Sequence, residues 1–119
     1  MSLHDRPTAA ELLAAVREYL ERDVMAATEG RVAFHARVAV NVLGMVEREL
    51  ALGPAQDAVE HTRLVALLGH DGSIEGLTAE LARAIRDGSL DARRDKVAEH
   101  VRATVRAKLE VANPKYLEQ

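Results

Sequence analysis

At 119 residues the chain has the size of one ordinary domain, long enough to bury a core without disulfides or a structural metal. Its 48% apolar content rests on 21 Ala, 15 Leu and 13 Val with only three aromatic residues, which excludes a disordered tail and predicts an aliphatic core with small spacers. A net charge of −3 and the absence of cysteine leave no basic field for nucleic acid and remove disulfides, thiolate nucleophiles and Cys-ligated zinc.

Charge is uneven along the chain. Residues 1–60 carry 6 basic and 10 acidic side chains, residues 61–90 carry 3 and 4, and residues 91–119 carry 7 and 5. The basic surplus of the last segment is small enough to read as a solvated helix face. The longest apolar stretch, Val38–Val46, is nine residues and contains Asn41 and Gly44, far short of the ~20 residues that span a bilayer. With no charged-then-apolar leader, the expected compartment is the cytoplasm, and neither membrane nor nucleic acid is an expected partner. Arg outnumbers Lys 13 to 3, a codon bias that suggests a bacterial source. Met1-Ser2-Leu3 reads as a vector remnant, within a flexible or vector-derived segment 1–7 at the head of a single helical domain spanning 1–119.

Apolar residues recur at helical spacing throughout, no stretch alternates with period two, and glycines fall where helices should stop. The predicted fold is all-α, a compact bundle of about five helices. The first helix opens at Thr8, because Thr8-Ala9-Ala10-Glu11 fits the capping box. Ala9, Leu12, Leu13, Val16, Tyr19, Leu20 and Val24 share one side of it, and Asp23, which falls within that stripe, suggests a break near Arg22 with Asp23 capping a short turn to Gly30. The second helix, Arg31 to Leu52, is long and apolar nearly all round, with a narrow polar strip of Arg37, Asn41 and Arg48. Such a helix belongs at the centre of the bundle or partly in a subunit interface. Gly44 within it suggests close approach of another backbone.

Gly53-Pro54 predicts a stop and a new start. The third helix then runs to about Leu68, with Ala58, His61, Leu64, Val65 and Leu68 inward. After His70-Asp71-Gly72, Ser73 caps a fourth helix that presents Ile74, Leu77, Thr78, Leu81, Ala84 and Ile85 inward and ends at Gly88. The fifth begins near Asp91 and stops at Asn113-Pro114. Short connections make consecutive helices antiparallel neighbours.

The signatures of common catalysis are missing: no phosphate-cradling G-x-x-x-x-G-K, no G-x-G-x-x-G after a strand, no H-E-x-x-H. Ser73 and Ser89 fall at predicted caps, where the hydroxyl serves backbone donors. His4, His35, His61, His70 and His100 never pair at helical spacing with one another, so no helix offers two metal ligands. Neither a metal nor a cofactor is expected. Three polar features remain. Arg31, His35 and Glu49 share one side of the second helix, either as a cleft-lining cluster or as a core histidine bonding a carbonyl, with Arg31 and Glu49 an ion pair at opposite ends. Thr104 and Lys108 lie in the apolar stripe of the last helix beside Val97, Val101, Val105 and Ala112, where the lysine either snorkels to water or meets an anion. Asn41 interrupts an apolar run but shares the polar strip.

Several strings carry a resemblance: His4-Asp5-Arg6-Pro7-Thr8-Ala9-Ala10-Glu11-Leu12-Leu13, Glu29-Gly30-Arg31 with Phe34-His35-Ala36-Arg37-Val38-Ala39 and Asn41, Val46-Glu47-Arg48-Glu49-Leu50, and Lys108-Leu109 with Asn113-Pro114-Lys115-Tyr116-Leu117. Over nearly the whole chain they resemble a small bacterial family of uncharacterised helical domains encoded beside, or fused with, aminoglycoside-phosphotransferase-like kinases and acyl-CoA dehydrogenases. The resemblance implies association with such a system and supplies no catalytic residues. It does cover Arg31, His35, Asn41, Lys108 and Tyr116, which become the candidate ligand-binding residues.

Two readings follow. The first is a non-enzymatic accessory or interaction domain, homo-oligomeric, that docks on a kinase-like or dehydrogenase partner. The alternative is a small anionic-ligand or enzymatic site formed by Arg31, His35 and Lys108 between the second and fifth helices. A purely structural fusion partner without a ligand would carry the same sequence features as the first.

Overall fold

The computed structural model describes residues 3–118, so of the leading Met1-Ser2-Leu3 only Leu3 falls within it. The described residues form α-, π- and 3-10 helix without a strand, as the period of the apolar pattern requires. They divide into two compact units, one ending at Ala51 and the other beginning at Leu52.

The N-terminal unit begins with α1, Ala9–Tyr19. Its capping box forms as predicted: the Glu11 amide donates to the Thr8 hydroxyl at 3.0 Å, and the Thr8 amide to the Glu11 carboxylate at 3.2 Å. No break follows at Arg22. The helix widens instead into a π-helical stretch, Leu20–Val24, and one further α turn, Met25–Ala27, with no side-chain cap from Asp23. A π turn inserts a residue and rotates the stripe, so Asp23 reaches solvent without the helix ending. Thr28 closes the segment by donating its hydroxyl to the Val24 carbonyl at 2.6 Å.

The long helix α2 runs from Gly30 to Leu68 without interruption and carries Pro54 inside it. The predicted second and third helices are therefore one. Proline has no N–H to offer the Leu50 carbonyl, which costs a hydrogen bond. The other obstacle is relieved by Gly53: a residue before proline avoids the helical region because its Cβ meets the ring, and glycine has none. Gly53 is not left-handed either, unlike Gly30, Gly69 and Gly88. In the N-terminal unit an ion pair joins α1 to α2, Arg17 Nε to Glu47 Oε1 at 2.7 Å, and Ala36 of α2 is buried. The Glu47 carboxylate holds the Arg17 pKa above its usual value, by hydrogen bond first and by charge second. Gly44 does not mark a close backbone: a Cβ there would meet the guanidinium of Arg48 at 3.3 Å.

The C-terminal unit holds the aliphatic core. The last part of α2 ends at Leu68, where Gly69 turns left-handed, and Ser73 caps α3, Ile74–Asp87, accepting from the Gly76 amide at 3.0 Å. Gly88 ends α3 in the left-handed region. A 3-10 turn, Asp91–Arg93, precedes α4, Arg94–Ala112, so the fifth predicted helix starts three residues late. Asn113-Pro114 stops it as expected, and a 3-10 turn, Pro114–Glu118, follows. Leu64, Leu67, Leu77 and Leu81 are buried together, with Val65, Leu68, Ile74, Leu90 and Val97 packed around them. The buried stripe of α2 thus includes Leu67, which the sequence reading omitted, while Ala58 is exposed. Arg93 contributes by donating to the Leu67 carbonyl at 2.7 Å, satisfying one of the orphan acceptors at the end of α2.

Candidate interaction surface

The first half of α2 has two unlike sides. Ala36, Val40, Leu43 and Glu47 recur every three or four residues and form one side, from which Glu47 pairs with Arg17 of α1. On a 100° wheel the opposite side is Arg31, Phe34, His35, Val38, Asn41, Val42, Met45 and Glu49, and every one of these is exposed. Phe34 is 61% exposed and Val42 50%. The sole buried residue among those described in this unit is Ala36. Burial of the second helix on nearly every side within one chain is therefore not what the structure has. Of the stripe predicted to be buried on the first helix, Leu12, Val16 and Tyr19 on α1 are exposed too, while Leu13 on α1 and Leu20 and Val24 in the π-helical stretch are partly covered.

Single exposed apolar side chains are ordinary. An apolar stripe several turns long is different, since monomeric proteins seldom leave contiguous patches beyond a few hundred Å². The ring of Phe34 meets His35 edge-on, with centroids 5.5 Å apart and planes at 77°, which fixes two members of the face against each other. Arg31 and Glu49 bracket it. Eighteen positions separate them, about 27 Å along a helix, so they do not form a cluster with His35.

The candidate residues read from the sequence are thus placed as follows. Arg31, His35 and Asn41 share the open face of α2 in the N-terminal unit. Lys108 is exposed on α4 and Tyr116 on the terminal 3-10 turn, both in the C-terminal unit.

The C-terminal unit contains a polar cluster that sequence reasoning missed. Glu60 on α2 accepts from Arg63 Nη2 at 2.7 Å and from the Thr104 hydroxyl at 2.8 and 2.9 Å, and His100 Nε2 lies 3.4 Å from its second oxygen. Arg63 Nε donates to His100 Nδ1 at 3.3 Å, so the geometry suits a neutral ring with its proton on Nε2. His100 is only 5% exposed. That burial pushes its pKa down, opposed by the Glu60 charge and reinforced by Arg63. Gln56 extends the polar seam to the Ala107 carbonyl at 3.0 Å. Carboxylate, imidazole and hydroxyl are acid–base ingredients, yet here they satisfy one another: among the described residues no buried side-chain polar atom lacks a hydrogen-bond partner. An open depression in this unit is lined by other residues, among them Leu67, Glu80, Arg83 and Asp87. The sequence signal was partial: Thr104 stood out within an apolar stripe, and its carboxylate partner, Glu60, came from another helix.

Elsewhere the histidines pin a loop. His61 Nε2 lies 2.8 Å from Asp71, and His70 Nε2 2.7 Å from Glu80. The Glu80 hydrogen bond raises the His70 pKa, while the Gly72 amide and then His61 lower that of Asp71. Among the described residues no group of three His, Cys, Asp or Glu side chains is arranged to hold a metal ion, and no helix is long and apolar enough to cross a membrane.

Residues 26–116, more than half of the chain, match the family model described as Domain of unknown function (DUF6285), and the chain belongs to that family. Comparison with curated proteins and with solved structures finds no match.

Proposed function

We infer that this DUF6285 member is a non-enzymatic interaction domain that works by presenting the open face of α2 to another helical surface. The observation that carries the reading is the run of exposed apolar residues Phe34, Val38, Val42 and Met45 on the side of α2 opposite α1. Covering such a face with protein removes apolar surface from water at roughly 25 cal/mol per Å². The polar cluster supports the same reading from the other side, because its catalytic-looking groups are spent on one another. The resemblance to domains encoded beside phosphotransferase-like kinases and acyl-CoA dehydrogenases supplies the accessory role and those two candidate partner classes.

Photo-crosslinking in cells tests the reading. A benzophenone side chain placed at Val42 should give covalent adducts, and the same group at Arg86 on α3, an exposed charged position, should not. Equal yields from both positions, or none from Val42, would contradict it.

A further inference from the structure

We propose that the occupant of this face is a second copy of the chain, packed antiparallel so that Arg31 of one copy meets Glu49 of the other. The proposal rests on the interaction reading and names its partner. Along α2 the exposed positions 31, 35, 38, 42, 45 and 49 step by four and three residues in turn, which is the seam of a two-helix coiled packing. Their chemistry is ordered along it: a cation at one end, apolar Val38, Val42 and Met45 through the middle, and an anion at the other end.

That order separates the two ways of pairing identical helices. A parallel pair places Arg31 against Arg31 and Glu49 against Glu49, like charges at both ends. An antiparallel pair whose facing positions sum to 80 places Arg31 against Glu49, His35 against Met45 and Val38 against Val42, and by the two-fold axis it makes each contact twice. Two favourable charge pairs replace two unfavourable ones, and the apolar residues meet in the centre. Arg31 and Glu49 are both exposed, and neither has an ion-pair partner among the described residues of its own chain. The charges do not reach each other within one copy, since about 27 Å of helix lies between them. Asn41 falls at the edge of the seam close to the axis, where its amide meets the same amide of the other copy. A polar residue there favours one register over its slipped alternatives.

The test is sedimentation of the full chain from about 1 to 100 µM, with charge reversals and with cysteine pairs, which the absence of native cysteine keeps clean. The chain should dimerise. Arg31→Glu and Glu49→Arg, each at an exposed position and each checked by circular dichroism for unchanged helix content, should each weaken the dimer about tenfold, and the double reversal should restore it to within about threefold. Mixing a His35→Cys chain with a Met45→Cys chain should give a mixed disulfide, whereas either variant alone should not crosslink, because like positions lie about 15 Å apart along the axis. A monomer across the range, a dimer indifferent to the reversals, or disulfides between like positions would each overturn the proposal. A monomer whose Val42 probe still captures a different protein would overturn the second copy and leave the interaction reading standing; a monomer with no Val42 adduct would overturn both.

Discussion

The two units of this chain draw on the same aliphatic residues and use them differently. In the C-terminal unit Leu64, Leu67, Leu77 and Leu81 close a core on themselves, and a carboxylate, a guanidinium, an imidazole and a hydroxyl are folded into one satisfied cluster beside it. In the N-terminal unit the apolar residues are as regular in spacing, yet among the described residues Ala36 alone is buried and Phe34, Val38, Val42 and Met45 stand in solvent. Regular helical spacing therefore predicts a face without saying what covers it. One face is matched by other helices of its own unit, and the other is exposed.

Substitutions should separate the units, the C-terminal core first. Leu77→Ala removes a side chain that is fully buried and should cost about 2–5 kcal/mol in urea unfolding. Val42→Ala, at an exposed position, should change the stability of the dilute chain by less than about 0.5 kcal/mol. Comparable losses at both sites would erase the contrast. Next in size, Glu60→Gln leaves Arg63 and His100 without their carboxylate and should cost about 1–3 kcal/mol in the same unfolding measurement.

The histidines sharpen the contrast between buried and exposed charge through pH. Burial depresses the folded pKa of His100, so the unfolded chain binds more protons in the window just below the ordinary histidine pKa of about 6.5, and the stability that His100 contributes is present above that value and lost as pH falls. His70 is shifted the other way by Glu80: its contribution is complete below about 6.5 and lost as pH rises through its higher folded pKa. Imidazole resonances in an NMR titration should therefore show His100 titrating below, and His70 above, the ordinary value. Reversal of that order would contradict the hydrogen-bond assignments of both sites. The smallest expected effect lies at the head of α1, where Thr8→Ala loses a capping oxygen and should lower the melting temperature by an amount equivalent to about 1 kcal/mol.

Local chemistry made much of the fold legible. The Thr8 capping box, the Ser73 cap, the left-handed Gly88 and the stop at Asn113-Pro114 each follow from a few adjacent residues. What failed needed more than local information. Gly53-Pro54 carries the signature of a helix boundary, but glycine before proline has no Cβ to meet the ring, and α2 continues through it. Asp23 looked like a cap because a wheel of fixed pitch has no place for a π turn. The polar cluster was hidden for another reason: Glu60 and Arg63 are one turn apart on one helix, His100 and Thr104 one turn apart on another, and neither pair is unusual until the helices meet. Of the candidate residues, the helical period placed Arg31, His35 and Asn41 on a common face, whereas no periodicity relates them to Lys108 and Tyr116, which lie in the other unit.

Amide hydrogen exchange across a dilution series tests the central claim most directly, because it reads each helix separately. If a second copy covers the open face of α2, amides of Val38 to Met45 should exchange progressively faster as the chain is diluted through its dimer dissociation constant, while those of Leu77 to Leu81 in α3 should stay constant. Exchange of Val38 to Met45 that does not change with concentration would contradict the account.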